Sequence, residues 1–211
     1  MDKLKRQVAE KLLGIKAIKL QPTNPFIWAS GWESPIYCDN RKTLSYPEIR
    51  NYIKIQLARL ILEKYEHVDA IAGVATGAIA QGAMVAEELG LPFVYIRSSR
   101  KDHGLENLIE GDLKPGMKVV VIEDLISTGG SSLAAVKAVE NDNCEVVGMM
   151  AIFTYGFQVA KDAFKEAGVE LTTLSDYDTL IEVALETKYI SKNNIDTLKE
   201  WRKDPSNWNP A

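Results

Sequence analysis

Cysteine is nearly absent from this chain: Cys38 and Cys144 stand far apart, with no CxxC spacing. That excludes a disulfide-stapled scaffold and a thiolate zinc site, and a reducing cytoplasm is the expected compartment. A basic excess is also missing. The formal net charge is -4 and the isoelectric point is near 5.4, whereas a nucleic-acid binder needs clustered cations to release counterions from phosphates. Nucleic acid is therefore not an expected partner. Long apolar runs are lacking too. The opening stretch MDKLKRQVAEKLLGIKAIKL mixes charges among its apolar residues, so it reads neither as a signal peptide nor as a membrane span, and no membrane partner is expected. There is no internal repeat, low-complexity tract or flexible linker. At 211 residues, 46% of them hydrophobic, the chain has material for one domain with a sizeable core and a small appendage, while two full domains would be cramped.

What is present is a regular alternation. Leu4, Val8, Leu12 and Ile15 recur at helical spacing, predicting an amphipathic helix that ends near residues 14–16. From Gln21 to Arg41 the pattern turns extended and aromatic, with Pro22, Pro25, Gly31 and Pro35 as punctuation around FIWAS and PIYCDN. Ser45 and Pro47 then open a helix. Strands are expected at 70–74, 93–97, 118–123, 146–154 and 171–174, with helices near 78–89, 131–139 and 159–167. Apolar strands separated by helices imply an α/β fold with a mainly parallel central sheet covered on both faces. Ligands then belong at the carboxyl ends of the strands. The tail from Asp176 reads as two further helices.

The most informative stretch is KVVVIEDLISTGGSS, residues 118–132, in which an apolar strand delivers two acids and then a loop of small residues that opens a helix. Backbone N–H groups of such a loop can close around a phosphate, and the helix start adds unsatisfied donors and the positive dipole end. The dipole alone is worth only about 0.3 to 1 kcal/mol, so convergent hydrogen bonds from Ser127, Thr128, Gly129, Gly130 and Ser131 must supply most of the grip. Neither GxxxxGK[ST] nor GxGxxG occurs, so triphosphate hydrolysis and dinucleotide binding lose support. Glu123 and Asp124 either accept hydrogen bonds from a ribose diol or cap the helix that follows.

VVVIEDLISTGGSS resembles the 5-phosphoribosyl 1-diphosphate (PRPP) motif of type I phosphoribosyltransferases. The resemblance implies that Glu123 and Asp124 meet the ribose hydroxyls and that Leu125, Ile126, Ser127, Thr128, Gly129, Gly130 and Ser131 hold the 5-phosphate. A second turn, GVATGAIAQGA at 73–83, resembles the family's pyrophosphate loop, with Ala75, Thr76 and Gly77 at its bend, although glycines that only pack a helix would look similar.

Between strands lies RSSRKDHGLENLIEGDLKPG, residues 97–116, a long polar segment whose Arg97, Arg100, Lys101 and His103 concentrate positive charge. It is either a solvated basic loop or a lid that neutralises a leaving polyanion and excludes water. RxxxKxHG, here Arg97, Lys101, His103 and Gly104, is similar to the catalytic loop of orotate phosphoribosyltransferases, and SGWESPIYCDNR is similar to their hood, which shapes the base pocket. The two matches distinguish that family from purine-salvage relatives, and the acidic chain offers no basic face for a PRPP-sensing DNA-binding regulator.

The resemblance implies one phosphoribosyltransferase domain over residues 1–211, with a small N-terminal hood mainly from 1–45 joined by a C-terminal contribution, a core at about 46–175 and helices at 176–211. It further implies transfer of the phosphoribosyl group to orotate, with Lys101, Arg97, His103 and Asp124 catalytic, Ser127 on orotate and Mg2+ held mainly through substrate. A homodimer follows in which the loop from Arg97 to Gly111 reaches the neighbouring active site. Tyr37 could stack on the pyrimidine or simply pack, and His103 could protonate pyrophosphate or act as a plain donor. The chain departs from some members at Ser98, where they carry lysine, and at Ala29 and the TYGFQ stretch 154–158, where they carry cationic residues. Whether Arg100 replaces the loop lysine, and which groups meet the orotate carboxylate, stay open.

Overall fold

A computed structural model of the chain describes residues 2–28, 31–98 and 108–208. The first helix, α1 (Lys3–Gly14), starts where the Asp2 carboxylate accepts a hydrogen bond from Leu4 N–H at 2.9 Å, and it buries Val8, Ala9, Leu12 and Leu13. Four short strands follow: β1 (Ile18–Leu20), β2 (Phe26–Ile27), β3 (Glu33–Ser34) and β4 (Ile36–Cys38). They form two antiparallel pairs, β1 with β4 and β2 with β3. A 3-10 turn at Asn40–Ser45 leads into α2 (Pro47–Lys64), with Pro47 in the first turn, where its missing N–H leaves nothing unpaired.

From there strand and helix alternate: β5 (Ala70–Val74), α3 (Ile79–Leu89), β6 (Phe93–Ile96), β7 (Ile109–Glu110), β8 (Lys118–Ile126), α4 (Gly130–Asn141), β9 (Glu145–Thr154), α5 (Gln158–Glu166), β10 (Leu171–Asp176), α6 (Tyr177–Glu186) and α7 (Ile195–Lys203). Six strands form one sheet in the order β10-β9-β8-β5-β6-β7, parallel except for β7. Side-chain alternation on β8 sends Val120 and Ile122 to one face and Val119 and Val121 to the other. The first face packs against α1, α2, α3 and α6, the second against α4 and α5. Each face is thereby sealed from water, as parallel sheets require.

The α/β fold with a mainly parallel central sheet expected from the sequence is the fold observed, and its helices and main strands lie where their periodicity put them. Two differences matter for the site. Strand β8 does not stop at the acids: it runs on to Ile126, pairing Leu125 with Phe153 and Ile126 with Thr154 on the long strand β9. The phosphate-type loop is correspondingly shorter than expected and begins at Ser127. In addition, β7 turns back against β6, so the basic segment departs from and returns to an antiparallel stem, Tyr95↔Glu110 and Ile96↔Ile109.

The C-terminal helices close over the N-terminal strands through aromatic contact. Trp201 on α7 is fully buried and meets Trp28 edge-on at 5.6 Å and Tyr155 at 5.7 Å between ring centroids. Trp28 in turn donates from Nε1 to the Ile36 carbonyl at 3.0 Å, tying the two strand pairs together.

Candidate active site

Three hollows adjoin along the carboxyl ends of β5, β6 and β8. The middle one, about 370 Å³, is bounded by the turn Ala75-Thr76-Gly77 after β5, by Glu123, Asp124 and Leu125 on β8, by Ser131 at the start of α4, and by Cys38, Asp39 and Arg41 from the N-terminal strands. On one side a hollow of about 260 Å³ is lined by Ile27, Trp28, Tyr37, Cys38, Leu125, Ser127 and Tyr155, sharing Cys38 and Leu125 with the middle one. On the other a hollow of about 590 Å³, lined by Tyr95, Arg97, Ser98 and Glu110 among others, shares Ala75 and Thr76 with it. A larger hollow of about 760 Å³ lies between α6 and α7, around Tyr177, Ile181, Leu185 and Arg202, and none of the motif residues lines it. Size alone would misdirect the search; convergent polar groups favour the row of three.

Residues that the sequence separates by about fifty positions meet in the middle hollow. The Ala75–Thr76 peptide bond is cis. A Cβ placed on Gly77 would fall inside the contact distance of the Asp124 carboxylate, so glycine lets the turn after β5 and this side chain approach as closely as they do. Gly129, at φ +86°, turns the chain from β8 into α4. Ser127, Thr128 and Gly129 thus form the loop and Gly130 and Ser131 the first residues of the helix, where backbone N–H groups have no intrahelical partner. Of the two apolar residues expected in this loop, Leu125 faces the hollows from the strand, whereas the Ile126 side chain is wholly buried in the core beneath α4.

The two acids have different surroundings. Glu123 is 5% exposed; its Oε1 accepts from Asp124 N–H at 2.9 Å and its Oε2 from the Ser132 hydroxyl at 3.0 Å. Burial, then the neighbouring Asp124 charge, push its pKa up to about 8. Asp124 is raised too, chiefly by burial, with a counteracting pull from its hydrogen bond to Glu123 and from Arg41. Arg41 itself grips Asp39 with two hydrogen bonds, Nε to Oδ1 at 2.7 Å and Nη2 to Oδ2 at 3.1 Å, which holds the Asp39 carboxyl below its ordinary range.

Around the smaller hollow, Tyr37 is 40% exposed and tilts against Phe26 at 5.6 Å. Ser34 is buried and shapes the turn: its hydroxyl donates to the Ile36 carbonyl at 2.8 Å and accepts from Ile36 N–H at 3.2 Å. Arg97 stands at the head of the β6–β7 stem, 3.5 Å from the Glu110 carboxylate. Lys101, His103 and Arg100 of the basic segment, and Ala29 and Ser30 before β3, lie outside the described residues.

Sequence reading did not single out Asn40, Arg41 or Ser132. A signal existed for Arg41, which closes the hood-like stretch SGWESPIYCDNR. For Ser132 the only available cue was helical phase, which turns it inward beside an outward Ser131. Among the described residues no three or more His, Cys, Asp or Glu side chains gather as a metal-binding group, and no helix is long and apolar enough to cross a membrane.

Residues 45–176 match the phosphoribosyl transferase domain model. The chain is 68% identical to an orotate phosphoribosyltransferase of Bacteroides thetaiotaomicron, covering 99% of this chain and 98% of that one. It is 65% identical to one of Porphyromonas gingivalis, covering 99% of each. Among solved structures it is similar to orotate phosphoribosyltransferase from Aeropyrum pernix, with a TM-score of 0.76 and 26% identity over 87% of this chain and 99% of that one.

Proposed function

The chain belongs to the phosphoribosyl transferase family and, within it, to the orotate phosphoribosyltransferases; from that membership we propose how its three hollows divide the work. The reaction transfers the phosphoribosyl group of PRPP to orotate, giving orotidine 5'-phosphate and diphosphate. The observation that carries the division is the order of the hollows: an aromatic-walled one, an acid-lined one and one edged by the Arg97–Glu110 pair adjoin in a row, as base, ribose and diphosphate do along the reacting pair.

In this reading the 5-phosphate sits on Ser127, Thr128, Gly129, Gly130 and Ser131, where N–H groups converge. Asp124, with Glu123 behind it, receives the ribose hydroxyls and faces the positive charge that develops on the sugar. Ala75, Thr76 and Gly77 cradle the diphosphate. Tyr37 and Ser127 hold the pyrimidine against Trp28 and Tyr155. Orotate attacks the anomeric carbon as an anion, so positioning and electrostatics carry the rate and no covalent nucleophile is required.

Asp39 and Asp124, which face the cleft, are hard oxygen donors that would suit Mg2+, and the ion would be held mainly through substrate oxygens and waters. When bound, magnesium supplies charge neutralisation on the diphosphate. Lys101, Arg97 and His103 serve the same leaving group from the loop Arg97 to Gly111, which in a homodimer reaches the partner's cleft. With both cysteines free, the cytoplasm is the compartment assigned.

Spectrophotometric loss of orotate, measured with PRPP and Mg2+ and with adenine, hypoxanthine and uracil as competing bases, tests the assignment. Selective consumption of orotate is expected. No turnover by folded protein refutes the reaction, and preference for another base refutes the role of the aromatic-walled hollow. Mixing inactive Lys101→Ala and Asp124→Asn proteins tests the shared site. Reassorted dimers regain one intact site per heterodimer, or about a quarter of full activity, and no recovery on mixing denies the trans arrangement.

A further inference from the structure

Strand β8 outruns its neighbour. The last β5–β8 pair is Gly73↔Ile122, so beyond Ile122 the β5 side of the ladder is open just where the acids begin. Asn40, 84 positions away, enters there: its side-chain Nδ2 donates to the Asp124 carbonyl at 2.6 Å. Glu123 Oε1 already accepts from Asp124 N–H. Both backbone polar groups of Asp124 are therefore fixed from outside the helix and the strand ladder. Asn40 is itself held, because the Thr43 hydroxyl donates to its backbone carbonyl at 2.6 Å.

The choice of asparagine is poor for stability alone. The residue is 1% exposed, and its Oδ1 is buried with no donor among the described residues. A buried acceptor left unmatched is unfavourable, and an apolar side chain of similar shape would avoid it. What asparagine supplies that an apolar residue cannot is the donor on Asp124.

We propose that Asn40 is a positioning residue for phosphoribosyl transfer, fixing the Asp124 backbone so that the carboxylate meets the ribose of PRPP. The proposal rests on reading the acid-lined hollow as the ribose site. Asn40 follows Tyr37 and Cys38, which line the base hollow, so it also fastens the N-terminal strands to the acid pair.

The test compares wild type with Asn40→Leu, which keeps the volume and removes the donor, and Asn40→Ala, which removes the donor should the leucine variant not fold. Steady-state rates are measured against PRPP at saturating orotate and against orotate at saturating PRPP, alongside thermal unfolding. The expected result is a fall in kcat/KM for PRPP on the order of 10- to 100-fold, the scale of a misplaced reacting group. The KM for orotate should stay within about twofold and the melting temperature should hold. Unchanged PRPP kinetics overturn the proposal. So does an equal loss toward both substrates that tracks a lowered melting temperature, because that is what a mere fastening of the strands would give. Should wild type turn over no orotate, the assigned reaction falls by itself, and PRPP–Mg2+ affinity measured by calorimetry on the same three proteins still decides the role of Asn40.

Discussion

Replacing Glu123 by glutamine should stabilise the ligand-free protein, and by an amount that depends on pH. In the folded state burial and the Asp124 charge lift this carboxyl from the ordinary 4.5 to about 8. Below pH 4.5 it is protonated whether the chain is folded or not. Between 4.5 and 8 the folded protein retains a proton that the unfolded chain has released, so stability falls as pH rises; above 8 the loss is complete. The displacement corresponds to on the order of 2 to 4 kcal/mol once sharing of charge with Asp124 is allowed for. Glutamine keeps the hydrogen bonds, since its carbonyl can accept from Asp124 N–H and its amide can donate to the Ser132 hydroxyl. Guanidinium unfolding of both proteins at pH 5, 6, 7, 8 and 9 measures the difference directly. It should be smallest at pH 5, where only a minor part of the loss has accrued, and greatest at 8 to 9, in favour of the variant. A pH-independent difference, or a variant relatively weaker at pH 9 than at pH 5, refutes the assignment of a raised carboxyl.

Other expectations follow from the same geometry. Gly77→Ala places a methyl against the Asp124 carboxylate; kcat/KM for PRPP should drop by roughly 10² or more with little change in melting temperature, and an active variant would show that the Asp124 carboxylate can move aside at no cost. Lys101→Ala should lower kcat by about 10² to 10³, as removal of a transition-state contact does, and steady-state rates with unchanged kcat would remove Lys101 from the chemistry. Trp201→Ala should destabilise by about 3 to 5 kcal/mol because the ring is wholly buried. Its KM for orotate should rise more than its KM for PRPP, because Trp201 backs Trp28 and Tyr155; an equal change in both would limit the ring to packing.

How much of this was legible in the sequence follows from how far apart the partners lie. Strand, loop and helix at 118–141 are local: apolar alternation, two acids and a run of small residues are adjacent in the chain, and period and turn chemistry suffice to read them. The strand's end was misplaced for a physical reason. Two acids look like the exit from an apolar strand, but Leu125 and Ile126 resume the apolar pattern, and the length of β9 lets the ladder carry them. Nothing local marks Asn40, whose partner is 84 residues away. Nothing local marks Trp201 either: the tail read only as helices, while its tryptophan lies against a ring from residue 28.

That last contact bears on how the base hollow keeps its shape. Two-residue strands such as β2 and β3 have too few hydrogen bonds and too little buried area to stand alone. Trp28, which follows β2, is held by its own bond to the Ile36 carbonyl, by the Tyr155 ring at 5.3 Å and by the edge-on Trp201 ring. Helix α7 is in turn fixed by Arg202, which donates to the Gly156 carbonyl at 3.3 Å and pairs with Asp178. Gly156 immediately follows Tyr155, so the same short segment that walls the base hollow also receives the C-terminal helix. The hollow is thus shaped by residues 26–38 and by helix α7 acting on one turn between β9 and α5, which is why neither end of the chain alone foretold it.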